Sequence, residues 1–207
     1  MSITLVIIIV TAVVSISAMQ NHNLFAKLQF NAYLVKHSKE WYRAFTHALV
    51  HGGWLHLIVN MWVLWNFGTG TEAFFEAYRG SFGQVMYLAL YVGGVLFATL
   101  PSYRQHQDNF SYNAVGASGA VSAVLFSSIY FMPTMGIYVM FIPVAIPAFV
   151  IGPLYLAYEW YQHKNSTDNV AHDAHFWGAA FGFVFTVMLI PQQFPMFVKE
   201  ISLAIGA

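Results

Sequence analysis

Six stretches of the chain are dominated by apolar residues, at positions 3–19, 55–67, 85–100, 118–132, 137–161 and 175–190. Crossing the hydrocarbon layer of a bilayer as a helix takes about 20 predominantly apolar residues. The pattern therefore predicts an all-α polytopic membrane protein, a bundle of six transmembrane helices forming one domain over 1–207. The second and fourth stretches are short as pure apolar runs, so their helices should begin inside polar or glycine-rich leads. The first could instead be a signal peptide, since Ser17 and Ala18 supply small residues. It lacks the positively charged start that such peptides carry. The fifth contains Pro143, Pro147, Gly152 and Pro153. Prolines remove backbone donors and bend helices, which predicts a kinked and mobile span, or equally a passive kink fixed by packing. The long first loop, 20–54, mixes Phe25, Phe30, Tyr33, Trp41 and Tyr42 with Lys27, Lys36, Lys39 and Arg43. That mixture suits a segment lying at headgroup level.

Composition strengthens this picture. Hydrophobic residues make up 58% of the chain and charged residues 8%, where a soluble domain carries about 25% charged residues. Mean hydropathy is +0.60. Net charge is zero and no basic run occurs, which argues against nucleic acid as a partner. Cysteine is absent, so neither a disulfide framework nor a thiolate metal site is available. With six spans, Arg79 and Lys199 lie on the side of the termini, and Lys27, Lys36, Lys39, Arg43, Arg104 and Lys164 on the other. The positive-inside rule would put the long loop in the cytoplasm. Four of those six charges sit in that one loop, so the rule carries little weight here.

Polar and ionisable groups inside an apolar bundle are costly and call for a functional explanation. Three sets stand out. The first is Thr46-His47 through His51, His56 and Asn60, with His56 and Asn60 four apart on one helical face. The second is Ser118, flanked by Gly116, Ala117, Gly119 and Ala120. Glycines at a helix start admit close approach of another chain and leave N–H groups pointing outward. The third is His172-Asp173-Ala174-His175, followed by Gly178 and Gly182, a GxxxG face for tight helix contact. The second, fourth and sixth spans run the same way through the bilayer. His56, Ser118 and His175 lie near the start of each, so all three should share one face and depth. A serine hydroxyl is a weak nucleophile until an adjacent base takes its proton, help worth about 10²–10⁴ in rate. The amides of Ala117 and Ser118, with Asn60 and His56, could then hold a tetrahedral oxyanion, each donor worth about 3–4 kcal/mol.

Other readings of these residues stand beside that one. Gly119 and Ala123 could simply pack a membrane helix. Asp173 could orient a histidine as in a triad, or cap the sixth helix, where an acid near the N-terminus is favourable. His172 is a competing base. His47 and His51, four apart, could ligate a metal but lack an accompanying carboxylate at metalloprotease spacing, which favours structural hydrogen bonding. Glu72 and Arg79 could form a structural pair. Trp41 and Arg43 could anchor the loop or guide substrate.

The segments Gly116-Ala-Ser-Gly119, His56-x-x-x-Asn60 and Ala174-His175-x-x-Gly178-x-x-x-Gly182, with Trp41-Tyr-Arg43 in the first loop, resemble the rhomboid intramembrane serine proteases. The resemblance runs from the first loop through the sixth span. It implies a six-helix core and a Ser118–His175 dyad with no acidic third member, using neither metal nor cofactor. Asn60 and His56 would assist the oxyanion. Partners would be the lipid bilayer and transmembrane helices of substrate proteins, cut in or near their spans. Bacterial members place the active site towards the outer face of the inner membrane. Two departures are visible: no extra cytosolic domain precedes the first span, and Ser122 occupies a position where many relatives carry an aromatic ring supporting the histidine. Phe176 or Trp177 would take that role. The rivals are a non-catalytic rhomboid-like chaperone or trafficking factor, whose kind typically loses the serine or histidine, and a histidine-dependent metal-binding membrane protein.

Overall fold

The computed structural model describes residues 2–138, 143–165 and 170–206. The chain opens with α1 (Ile3–Gln20), and the first loop folds into three short helices, α2 (His22–Leu28), α3 (Ala32–His37) and α4 (Arg43–Thr46), then a single 3-10 turn, His47–Leu49. Long helices α5 (Trp54–Arg79) and α6 (Phe82–His106) follow, and α7 (Ser118–Phe131) starts at the candidate nucleophile. A short antiparallel ribbon, β1 (Gly136–Tyr138) with β2 (Ala145–Pro147), leads into α8 (Ala148–Asn165). The sixth long helix is α9 (His172–Leu189), and α10 (Phe194–Ile205) closes the described chain.

The protein is thus mostly helical, with apolar helices at the six predicted places. By length and composition α1 and α6 can each cross a bilayer alone. Up to four crossings result if two bent pairs count as one each: 43–49 with 54–79, bent by 94°, and 172–189 with 191–205, bent by 92°. α7, at 14 residues, is short because its start sits inside the protein at the site.

The fifth span departs from the expected 137–161. Residues 136–138 and 145–147 pair as strands, Ile137 opposite Ile146, and helix begins only at Ala148. Positions 139–142 lie outside the described residues. Pro143 and Pro147 have no N–H to give a helix; Pro147 ends β2, and Pro143 lies two residues before that strand. Pro153 alone remains inside the helix. α10 was not foreseen either; it follows Pro191 after a sharp turn.

The core lies around α7. Leu64, Phe75, Tyr87, Leu90, Ala123 and Val124 are fully buried there. Small residues set the spacing. A Cβ on Gly178 would overlap the Gly119 backbone, and one on Gly182 the backbone of Ala123. α9 therefore lies directly on α7, as the GxxxG pattern predicted. α6 packs beside both: a Cβ at Gly94 would come within 2.8 Å of Ala123 Cβ, and Phe97 stacks on Phe181 of α9. Outward-facing Val13, Leu55, Ile58, Trp62, Val184 and Met188 are exposed; a water-soluble protein seldom shows so wide an apolar exterior, whereas lipid accepts it.

Glu72 and Arg79 do not pair with each other. The Glu72 carboxylate accepts from Ser2 Oγ at 2.6 Å, Ile3 N at 2.6 Å, and Thr4 N and Oγ1 at 3.0 and 2.8 Å. It caps the otherwise unsatisfied N–H groups opening α1. Arg79 donates to the carbonyl of Leu189 at the end of α9.

Arg43 fastens the first loop. Its Nη1 donates to the carbonyls of Ala26 and Gln29 at 2.8 and 2.9 Å, closing the end of α2, while Nε meets Glu40 at 2.6 Å. That bond holds the Glu40 carboxyl below its ordinary value. Arg43 is buried, whereas Trp41 is 53% exposed with its ring tilted on Tyr103. Loop anchoring is thus the part Arg43 plays in this fold. Arg43→Ala is expected to cost about 2–3 kcal/mol, the loss of hydrogen bonds to a charged group. Thermal unfolding in detergent measures it, and an unchanged midpoint would contradict the anchoring.

Candidate active site

The loop before the nucleophile is held on the first loop. Phe30 and Ala114 exchange backbone hydrogen bonds of 2.9 and 3.1 Å, and Asn113 Oδ1 accepts from the amides of Gln29 and Asn31, both at 3.0 Å. Gly116 N donates to His47 O at 3.0 Å. Gly116 has φ +118°, and a Cβ there would lie 2.6 Å from His56 Cε1. Glycine is required on both counts. After Ala117 the chain turns into α7, whose first N–H groups have no acceptor in a preceding turn.

Ser118 therefore stands at a helix start. His175, in the first turn of α9, reaches it with Nε2 2.7 Å from Ser118 Oγ. The two were expected to meet because α7 and α9 carry small residues, and the geometry brings them together. His172 does not compete for the serine.

The sequence reading missed Glu159. It lies on α8, four residues after Tyr155, and its side chain is 5% exposed. Oε1 is 3.1 Å from His175 Nδ1 and Oε2 is 2.6 Å from His172 Nδ1. An ionised carboxylate only accepts, so both Nδ1 atoms carry their protons. The lone pair of His175 Nε2 then faces the Ser118 hydroxyl, as a base requires. The expected dyad without an acid thus has a carboxylate behind it. The missed signal was available: Glu159 is the one acidic residue in the fifth apolar stretch, and a charge in such a place invites explanation.

Asp173 is not that acid. It accepts from Ser102 Oγ at 2.9 Å, and Tyr112 in turn donates to Ser102 at 3.1 Å. Nor does it cap α9: the cap residue is Ala171, with no side-chain cap bond, and Asp173 stands in the first turn, where its charge favours the helix start. Neither Phe176 nor Trp177 supports His175; Phe176 packs on Trp160 and Trp177. Ser122, where an aromatic ring was expected, bonds to Tyr155 OH at 2.9 Å. Tyr155 and Glu159, one turn apart on α8, thus line the cavity beside His175.

The donors expected around an oxyanion are only partly free. Asn60 Nδ2 donates to His56 O at 2.9 Å, which leaves its second N–H. His56 and Asn60 both line the cavity that holds Ser118 and His175. The Ala117 N–H, expected to be available, points to His51 Nε2 at 3.4 Å. His51 is itself buried, with Nδ1 3.3 Å from Ser15 Oγ and its ring edge-on to His56. His51 is therefore a structural group, as favoured over metal ligation, and Ala117 is corrected from donor to spacer. The Ser118 amide remains at the helix start. The cavity has a volume of about 940 Å³ and is bordered by Val63, Val121 and Leu125 as well as the polar groups.

A profile of the rhomboid domain matches residues 38–192, three quarters of the chain. The chain is also 27% identical over 143 residues to presenilin-associated rhomboid-like protein A, mitochondrial, of Danio rerio, covering 64% of this chain and 33% of that protein. It spans about a third of that relative's length. The matched region begins in the first loop and runs past α9, taking in His56, Asn60, Ser118, Glu159 and His175. This integral membrane protein belongs to the rhomboid family.

Proposed function

We propose that this chain is an intramembrane serine endopeptidase that hydrolyses peptide bonds in or near the transmembrane segments of other membrane proteins. The observation that carries the reading is the 2.7 Å contact between Ser118 Oγ and His175 Nε2 inside a cavity of a membrane protein. Attack of Oγ on the scissile carbonyl carbon moves the hydroxyl proton to Nε2, and the carbonyl electron pair becomes the oxyanion. Asn60, His56 and the Ser118 amide border the space where that oxygen would lie. Collapse of the intermediate breaks the C–N bond, and Nε2 returns the proton to the leaving amine. Water, deprotonated by the same nitrogen, then hydrolyses the Ser118 ester. Glu159 keeps the imidazole in the required tautomer and balances its charge while it holds the extra proton. Substrate helices would reach the cavity laterally and unwind at the cut; small residues there would fit its space.

A fluorophosphonate should label the purified chain at Ser118, as mapped by mass spectrometry, and a reporter transmembrane substrate should be cut with chelator present. Absence of both would end this reading.

The same reading puts the chain in a bacterial inner membrane with the cavity opening outward, as the resemblance to bacterial rhomboids implies. The fish relative's name places that protein in mitochondria. Because cysteine is absent, single cysteines can report the orientation. Gln105→Cys and Ser81→Cys lie at opposite, exposed ends of α6. In intact spheroplasts an impermeant maleimide should react with the first and spare the second. The reverse pattern would invert the topology.

A further inference from the structure

Glu159, His172 and His175 offer more than a catalytic hydrogen bond. One carboxylate oxygen and the two Nδ1 atoms all lie within 4.8 Å of one another. All three side chains are largely buried, at 5%, 6% and 16% exposure. Two imidazoles and one carboxylate form a ligand set suited to zinc and its neighbours, unlike the all-oxygen sets of magnesium or calcium. Tetrahedral ligands about 2.0–2.1 Å from zinc stand roughly 3.3 Å apart. The Glu159–His contacts, one to each carboxylate oxygen, are already at 2.6 and 3.1 Å, and the ligand atoms, all within 4.8 Å of one another, need only draw in to that spacing. Water reaches the set from two sides: Glu159 and His175 border the large cavity, while His172 borders a second one of about 160 Å³ with His106 and Asp173.

We infer that Glu159, His172 and His175 form a binding site for a divalent transition-metal ion, zinc in the first instance, and that its occupancy switches the serine chemistry off. The inhibitory half of this inference rests on the protease reading. When the ion takes Nδ1 of His175, the single N–H proton of the neutral ring is given up to water from that atom and regained from water at Nε2, a change of tautomer with no net loss of a proton. Nε2 then presents N–H to Ser118 instead of a lone pair. The hydroxyl proton has nowhere to go, and attack stops. Glu159 is drawn to the metal by the same event. A water molecule completes the coordination, and departure of the ion restores both Nδ1 protons.

Binding is tested separately from catalysis. Ser118→Ala keeps all three ligands; after chelator treatment in detergent it should bind one Zn²⁺ per chain by calorimetry, and Co²⁺ should give the visible absorption of a four-coordinate ion. His172→Ala, and His172→Gln as the better-packed variant, made in the Ser118→Ala background, should weaken binding by about 100-fold or more. In the wild-type chain, Zn²⁺ should slow fluorophosphonate labelling and reporter cleavage, and chelator should restore both. Each His172 variant should lose most of that sensitivity, measured against its own metal-free rate. If wild-type protein is labelled but Ser118→Ala binds no zinc, or binds it equally without His172, the metal site is refuted and the protease reading stands. If zinc binds but no serine labelling occurs, the protease reading fails and the inhibitory role falls with it. Activity that needs added zinc would overturn the inference outright.

Discussion

Ser118→Ala is expected to lower cleavage of a transmembrane reporter by on the order of 10⁴–10⁶. Among the described residues lining the cavity, Ser118 is the one whose hydroxyl meets a histidine nitrogen, at 2.7 Å from His175 Nε2, and the proposed mechanism needs that hydroxyl for its ester. Removing it takes out one oxygen at a half-exposed helix start, so thermal unfolding in detergent should shift little. A turnover loss with an unchanged melting temperature is the signature of a nucleophile. His175→Ala should fall as far, and the double variant no further, because the two groups act as one unit. The measurement is single-turnover cleavage normalised to folded protein. A Ser118→Ala rate within tenfold of wild type would remove the serine from the chemistry.

Glu159→Gln is expected to cost about 10²–10⁴ in rate. The side chain keeps its size, but one of the two carboxylate oxygens becomes an amide nitrogen that donates. Whichever imidazole meets that nitrogen must turn its own Nδ1 into an acceptor, which puts its proton on Nε2. If that imidazole is His175, the serine loses its base. If it is His172, His175 keeps the needed tautomer but no full negative charge balances its protonated form. The positioning role predicts that kcat falls while KM changes little, since Glu159 acts through His175. Glu159→Asp should recover part of the loss, and Glu159→Gln should add almost nothing on top of Ser118→Ala. An equal loss in Glu159→Asp and Glu159→Ala, together with a lowered melting temperature, would mark Glu159 as a packing residue only.

Much of this arrangement was legible from residue types. Apolar run lengths gave the helices, because a bilayer imposes a minimum span that composition alone reveals. Gly178 and Gly182 announced the close contact of α9 with α7, since only a missing side chain permits backbone to meet backbone. The shared direction of alternate spans then brought Ser118 and His175 to one depth. What stayed hidden depended on contacts across the fold. The ribbon at 136–147 is made from residues as apolar as those of a helix, and only pairing between strands distinguishes it. Glu159 lies near the end of the fifth stretch and His175 at the start of the sixth, so both belong to one face, but only the packing of α8 on α9 shows that the carboxylate turns towards the two histidines. The Ala117 amide looked free because nothing local shows that His51, 66 positions earlier in the chain, waits beside it. Glu72 and Arg79 are nearly two helical turns apart, and each found a better partner at a helix end.

The carboxylate behind the base rides on a different support from the base itself. α9 is locked to α7 backbone against backbone, whereas α8 meets α7 through side chains, Gly152 facing Ile129 and Phe126 at ordinary contact distance and Tyr155 tilted on Phe126. Ser118 and His175 are therefore held to one another by backbone packing, while Glu159 rides on the helix seated through side chains alone. Any outward swing of that looser helix would uncouple the proton relay without disturbing the serine–histidine pair, so an open flank and a fully armed imidazole exclude each other.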